Sequence, residues 1–450
     1  MAATAVTVVG GGITGLAAAW ELVRAGARVT LVEASTRLGG KIVTEEIGSR
    51  PVDLGPDAFL ARLPDAVRLC HELGLGDQLV GAATESASLW VGGTLRPLPR
   101  GTVLGAPAGI AGLATVARSG LLSPVGVVRA GLDLVLPRRD LGEDPSVGAI
   151  VTARFGRQVH ERLVDPLVGG IHAGSSSLLS AEAVAPQLAA GARSHRSLIL
   201  GLQRGRRNTW PSSPAGPAFV SLRGGLSQLV ERLEEALRRK GVDIELGRPF
   251  DAHSAPDGPT ILTTPAPVTA GLLARLCPDA ATELAELEHA SVALTVLRYA
   301  LSAFPGGEAP TGSGFLVPQV EGRLMTACSF ASSKWPHWRV PGEMVLRASA
   351  GRWGDERAMG LTDGQLVAHL HGELTEALHL TDEPLASRVT RWPAAFPQYR
   401  PGHLARIARI ENALRRDCPQ VQVAGAAFRG VGIPACIAQG RAAARRALGY

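Results

Sequence analysis

Lysine is almost missing from this chain: among 450 residues it stands only at Lys41, Lys240 and Lys334. The net charge of +6 therefore rests on arginine. No dense run of basic residues occurs, so the surplus predicts no nucleic-acid partner and is at most a pointer to an anionic ligand. Cysteine is scarce too. Cys70, Cys277, Cys328, Cys418 and Cys436 are odd in number, widely spaced and without a CxxC pair, which argues against a disulfide framework or a zinc site and for a reducing compartment. The N-terminus lacks a basic leader, so no signal peptide is expected, and a cytoplasmic location follows by default. Residues 101–117 are uncharged, but Pro107 and several glycines break them and Arg118, Arg129 and Asp133 follow. That is too short for a spanning helix and leaves peripheral membrane contact at most. There is no GxSxG and no HExxH. His369, His371 and His379 lie on an expected helix where neighbours two apart face nearly opposite ways, so no metal site is expected.

What the chain does have is length and apolar content. At 46% hydrophobic residues it can bury a large core, and 450 residues imply two or three structural units. The start reads as strand Ala5 to Val9, a glycine turn, helix Ile13 to Ala25 and strand Arg28 to Glu33. From about Leu95 to Arg206 the pattern becomes helical, with segments such as Pro145 to Phe155 and Gln158 to Leu167. Asn208 to Pro217 reads as a Pro/Ser-rich linker. Strand Phe219 to Leu222, helix Leu226 to Lys240, strand Val242 to Leu246 and strand Thr260 to Thr264 look like a return to the first unit. Alternating segments such as Val292 to Leu297 and Met344 to Ala348 favour a mixed sheet, followed by a helix over Asp363 to Leu380. The last fifty residues carry a helix near Leu404 to Leu414, a strand Val421 to Ala424, a glycine-rich turn and a helix from Cys436.

Three glycine clusters carry the chemistry. In Gly10-Gly11-Gly12-Ile13-Thr14-Gly15 the first glycine permits a tight turn, Gly12 lets the backbone approach a pyrophosphate at a helix N-terminus, and Gly15 allows close helix–strand packing. Glu33, eighteen residues beyond Gly15, can accept from ribose hydroxyls, which disfavours a 2′-phosphate there. Arg37-Leu38-Gly39-Gly40-Lys41 offers a second close backbone approach, flanked by cations that can neutralise a pyrophosphate. Gly425 to Pro434 precedes the last helix and supplies another helix N-terminus, facing the far end of a long cofactor. Three such sites suit an extended FAD better than NAD.

With those segments in place, the sequence resembles the protoporphyrinogen and coproporphyrinogen oxidases within the flavin amine oxidase superfamily, over essentially the whole chain. The likeness extends to Asp53 to Phe59, Asp165 to Gly174, His195-Arg196-Ser197, Ser221 to Leu226, Pro397-Gln398-Tyr399 and Gly430 to Ile437. It implies an α/β fold with mixed α+β parts: a Rossmann-like FAD domain of the glutathione-reductase and amine-oxidase type at 1–92, 218–267 and 404–450, a helical insert at 93–217 and a mixed-sheet substrate domain at 268–403. It implies FAD held by Gly10 to Gly15, Glu33, Ala34, Arg37, Gly39, Gly40, Lys41, Gly55, Pro56, Asp57, Ala58, Phe250, Thr264, Gly425, Gly430, Val431, Gly432 and Ile433. Two positions depart from the family pattern: Lys41 stands where arginine is usual, and Ser175 where an acid or amide is usual.

The same resemblance implies a porphyrinogen held between flavin and insert, oxidised by hydride loss to flavin N5 with oxygen regenerating the cofactor and yielding peroxide. A transient contact with the following enzyme of the haem route would go with it. No strongly tuned base is needed, because the pyrrole cation left by hydride loss is acidic. Arg96 and Arg100 could pair with substrate propionates, and both also read as solvated arginines. Gly169, Gly170 and His172 would edge the substrate cleft; His172 reads equally as a satisfied core histidine and is the one, weak, catalytic candidate. A bacterial style of sequence without a membrane segment favours coproporphyrinogen III over protoporphyrinogen IX. An amine oxidase would want an aromatic pair at the flavin, and the chain has only Tyr299, Tyr399 and Tyr450 as tyrosines. A redox-inert binding protein could dispense with the second and third glycine clusters.

Overall fold

The computed structural model describes residues 4–48, 50–209, 216–251 and 258–449. Residues 210–215 of the expected linker, and Tyr450, lie outside the described residues. The chain divides into two compact units, one of 1–81, 217–288 and 404–450, the other of 82–216 and 289–403.

The first unit is built on a five-stranded parallel sheet in the order Asp243–Glu245, Arg28–Val32, Ala5–Val9, Thr260–Leu262, Val421–Val423. Both faces are covered. Val6 and Val8 of the central strand enter one apolar cluster with the helix Ile13–Arg24, while Val9 enters another with Ala266–Leu273 and Pro278–Ala285. Burial on both faces explains why these strands read as continuous apolar runs. The helices Ile13–Arg24 and Ile433–Ala447 cross so closely that a Cβ on Gly440 would lie 2.2 Å from the Thr14 carbonyl oxygen.

The second unit holds a seven-stranded sheet in the order Ala386–Pro397, His289–Ala300, Glu343–Ala350, Met325–Phe330, Gly314–Leu316, Ala87–Val91, Thr94–Pro97. It is antiparallel except where Gly314–Leu316 runs parallel to Ala87–Val91. Helices from Gly109–Arg118 to Leu198–Thr209 complete it and enclose their own core of residues such as Ile150, Phe155, Leu163 and Leu188.

Three boundaries differ from the sequence reading. Residues 82–92 fall with the second unit because Ala87–Val91 pairs in its sheet, and 268–288 fall with the first because their helices pack under its sheet. The expected insert and substrate domain share one unit. The last helix begins at Ile433, not Cys436, because Pro434 sits in its first turn, where a missing N–H costs nothing.

Candidate functional site

The strand Ala5–Val9 runs into Gly10, whose φ of +104° turns the chain so sharply that a Cβ would lie 2.8 Å from Thr263 Oγ1. Thr263 Oγ1 in turn donates to the carbonyls of Val9 and Gly10, each at 2.9 Å. Gly12 is different: its backbone is extended, and a Cβ there would meet nothing within 4 Å. The helix Ile13–Arg24 starts next with no side-chain cap, and its first hydrogen bond runs from Leu16 N to Gly12 O. The amides of its opening turn therefore concentrate partial positive charge beside a space that only glycine leaves open, which is what a pyrophosphate needs. Glu33 accepts from Gly11 N at 2.6 Å and Ser35 N at 2.8 Å, so the carboxylate is fixed at the end of its strand with lone pairs to spare for a ribose.

The second glycine pair docks onto the first. Gly39 N donates to Gly11 O at 2.8 Å, and a Cβ on Gly40 would lie 3.3 Å from Gly12 Cα. Both residues have positive φ, +99° and +58°. Arg37, expected to lie on the pyrophosphate, instead donates to the carbonyls of Leu38 and Gly40 and closes its own turn. Lys41 is left as the exposed cation of this loop, close enough to Cys436 for the two to act on each other electrostatically. Burial pushes the Cys436 thiol up, so it is a neutral neighbour and no thiolate. The third cluster ends in a second uncapped helix N-terminus, with Gly432 as N-cap after Gly430 at φ +124°.

The remaining cofactor candidates fall around the same sheet edge. Arg248 N donates to Glu33 O at 3.0 Å, which sets the run containing Phe250 beside Glu33, and Thr264 Oγ1 bonds Thr269 Oγ1 at 2.8 Å. Ala34 is exposed, and Gly55, Pro56, Asp57 and Ala58 are half-buried. The fully buried Asp53 carboxylate accepts from Thr44 Oγ1 and Leu226 N, which ties the segment Asp53 to Phe59 to the segment Ser221 to Leu226. Sequence reasoning gave no role to Thr263 or Gly440, and took Asp53 only as the start of a family motif. Their work is support from underneath, and a threonine or a glycine at such a position carries no periodic signal.

A second feature lies wholly within the other unit. Asp165, Pro166, Gly169, Gly170, Ala173 and Gly174 line a cavity with Val292, Val317, Thr326, Ser349, Gly351, Arg352 and Phe396. The helix Asp165–His172 follows directly on a π-helical turn, His160–Val164, a geometry often retained where function demands it. Asp165 Oδ1 accepts from Ser176 N at 2.8 Å and Ser176 Oγ at 2.7 Å, and Ser176 Oγ meets His160 Nε2 at 2.8 Å. All three side chains are buried. Burial lowers the His160 pKa against the opposing pull of Asp165. Ser176, not Ser175, makes this contact.

His172 is buried but is not the satisfied histidine expected. Its Nδ1 has no hydrogen-bond partner among the described residues, and its ring lies 6.0 Å from Tyr399. Burial pulls its pKa down to about 4, so it is neutral at pH 7. The unfolded chain then takes up a proton first as the pH falls below about 6.5, and stability is lost progressively from there to about 4, by up to about 3 kcal/mol. His172→Leu is expected to flatten that part of the profile. Urea midpoints near pH 7 and near pH 5 check this, and an unchanged pH slope would contradict it. Arg96 lies over Gly120 from the strand Thr94–Pro97, Arg100 is exposed, and neither has an ion-pair partner among the described residues. His371 bonds Tyr299 and His379 ends its helix, so the histidines of that segment serve separately.

A family model for flavin containing amine oxidoreductases matches residues 13–448. The chain is 36% identical to coproporphyrinogen III oxidase of Bacillus subtilis (strain 168), over 99% of this chain and 98% of that protein. It is 34% identical to the coproporphyrinogen III oxidase of Propionibacterium freudenreichii subsp. freudenreichii, over 96% and 89%. Among solved structures, a putative protoporphyrinogen oxidase from Exiguobacterium sp. 255-15 matches with a TM-score of 0.87 and 31% identity, each chain covered completely.

Proposed function

Because the chain belongs to the flavin containing amine oxidoreductases, we propose that it is an FAD-dependent oxidase that converts coproporphyrinogen III to coproporphyrin III in haem biosynthesis. The open cradle at Gly12, between two uncapped helix N-termini, supports the extended dinucleotide form of the flavin. The near full-length similarity to coproporphyrinogen III oxidases supports the substrate.

In this reading the amides of Gly12 to Thr14 and of Gly432 and Ile433 hold the phosphates and the far end of FAD, and Glu33 holds a ribose through its remaining lone pairs. Gly39 and Gly40 let the backbone approach, and Lys41 supplies the cation that Arg37 does not. Bound flavin supplies hydride acceptance at N5, with oxygen as the final acceptor and peroxide as the by-product. Asp165 lines the cavity and has Oδ1 occupied by Ser176, which leaves Oδ2 as the oxygen to accept a pyrrole N–H. Among the described residues no helix is long and apolar enough to cross a membrane. We place the enzyme in the cytoplasm, with any membrane contact peripheral, for which the exposed Val125, Val128, Leu132 and Val135 offer a face.

Purified protein is expected to be yellow and to release FAD, not FMN, on denaturation. Presented anaerobically with coproporphyrinogen III or protoporphyrinogen IX and then with air, it is expected to generate porphyrin fluorescence faster from the former. Preference for protoporphyrinogen would move the enzyme to the other branch, that of the putative protoporphyrinogen oxidase from Exiguobacterium. Colourless protein inert to both would end the reading.

A further inference from the structure

Burying a guanidinium without an anion is expensive, and folded chains rarely leave one so. Arg352 is such a group. Its residue is 9% exposed, and no hydrogen bond or ion pair engages its side chain among the described residues. It follows the strand Glu343–Ala350 after Gly351, whose φ of +93° turns the chain just ahead of it. There it forms part of the walls of two cavities: the one beside Asp165, and a larger, more open one of about 400 Å³ lined by Gln319, Arg323, Gly354, Asp355, Glu356 and Arg357.

The charged neighbours show which anion is wanted and on which side. Arg357 is bidentate on Asp355, and Arg323 is paired with Glu376, so both are neutralised within the fold. Asp165 and Asp355 attract the Arg352 guanidinium from beyond ion-pairing distance, Arg357 repels it, and dehydration lowers its pKa. Asp165 already takes two hydrogen bonds from Ser176 and would repel an anion on the inner side. On the outer side the carboxylate of Asp355 is already taken by Arg357, Arg323 is taken by Glu376, and Glu356 is the one further acid in the lining. A carboxylate arriving there finds one guanidinium with all its donors free, the geometry suited to a bidentate pair.

We infer that Arg352 is the anchor for one carboxylate-bearing arm of the substrate, an inference that rests on the porphyrinogen reading above. The anion supplied by the substrate offsets the cost of burying the guanidinium, so binding is favoured by the group that destabilises the empty site. Recognition of a pyrrole N–H by Asp165 Oδ2 and of its carboxyalkyl arm by Arg352 would then fix the register of the macrocycle on this wall.

The test uses the flavin-loaded enzyme. Arg352→Gln is expected to raise the KM for coproporphyrinogen III by at least about tenfold, the range for removing one partner of a buried charge pair. Its flavin spectrum should be unchanged, and Arg352→Lys should recover part of the loss. Coproporphyrin III should bind the wild type far better than its tetramethyl ester, and Arg352→Gln should narrow that difference by about the same factor as it raises KM. The thermal midpoint of Arg352→Gln without substrate should stay level or rise, whereas an arginine serving only the fold would lower it. An equal KM in wild type and Arg352→Gln, or an ester bound as well as the acid, overturns the inference alone. A wild type inert to every porphyrinogen overturns it together with the functional reading.

Discussion

Gly12→Ala is expected to give a folded, thermally normal protein that has lost its flavin, while Gly15→Val at the same turn loses flavin and fold together. The contrast follows from space. Around Gly12 a Cβ would meet no protein atom within 4 Å, and the backbone there, at φ −71°, suits any L-residue. A methyl group in that space costs the fold little, of the order of 0.5 kcal/mol or less as for other unstrained surface changes. It does stand where the pyrophosphate must approach the amides. Losing two charge-assisted hydrogen bonds at about 1.5–3 kcal/mol each weakens FAD by about 100-fold or more. At Gly15 a Cβ would lie 1.9 Å from the Gly10 carbonyl oxygen, a backbone atom that cannot move aside without displacing strand from helix. Flavin absorbance per protein, with circular dichroism and a melting curve, reads both. A colourless Gly15→Val that melts like wild type would refute the packing argument, and a fully flavinated Gly12→Ala would refute the cradle.

The second large effect is expected at Asp133, far in sequence from any glycine cluster. Its carboxylate is fully buried and accepts three hydrogen bonds, from Arg154 Nε, Ser197 Oγ and Ile199 N, while its backbone carbonyl accepts a fourth from Arg154 Nη2. Arg154, itself 6% exposed, goes on to the carbonyls of Pro137 and Arg196. Asp133→Ala would strand that guanidinium in the core of the helical region, a loss of about 3–5 kcal/mol. For a unit of this size the melting midpoint should fall by the order of 10 °C. Asp133→Leu with Arg154→Leu should recover much of the loss, because it removes both charges. Scanning calorimetry of the three proteins decides it, and a double variant no better than Asp133→Ala would show that the network stabilises by more than pairing.

The short apolar runs, the helical spacing between them and the position of Gly10, Gly12, Gly15 and Glu33 made the first strand, helix and strand legible, because a phosphate at a helix N-terminus demands those residue types at that spacing. The helical middle of the chain and the mixed sheet near its end were legible for the same reason: periodicity is local. Arg37 was not. A guanidinium beside a glycine pair looks the same in sequence whether it faces a pyrophosphate or closes its own turn on Leu38 and Gly40. His172 gave only half its character, since burial can be guessed from its motif but the missing partner of Nδ1 cannot.

What the sequence determined by itself, then, was what neighbours a few residues apart set: the first strand–turn–helix–strand unit, the family and the flavin. What only the tertiary structure decided was set by residues distant along the chain. Asp133 read as one of three charges following an uncharged stretch until Arg154 and Ser197 came to it. Nothing in the sequence singles out Arg352, and only the structure shows it buried on the wall of a cavity with no hydrogen bond or ion pair to its side chain among the described residues. The physical reason is that the cost of burying a charge depends on where its counter-charge lies in space, and no pattern along one strand or helix encodes that distance.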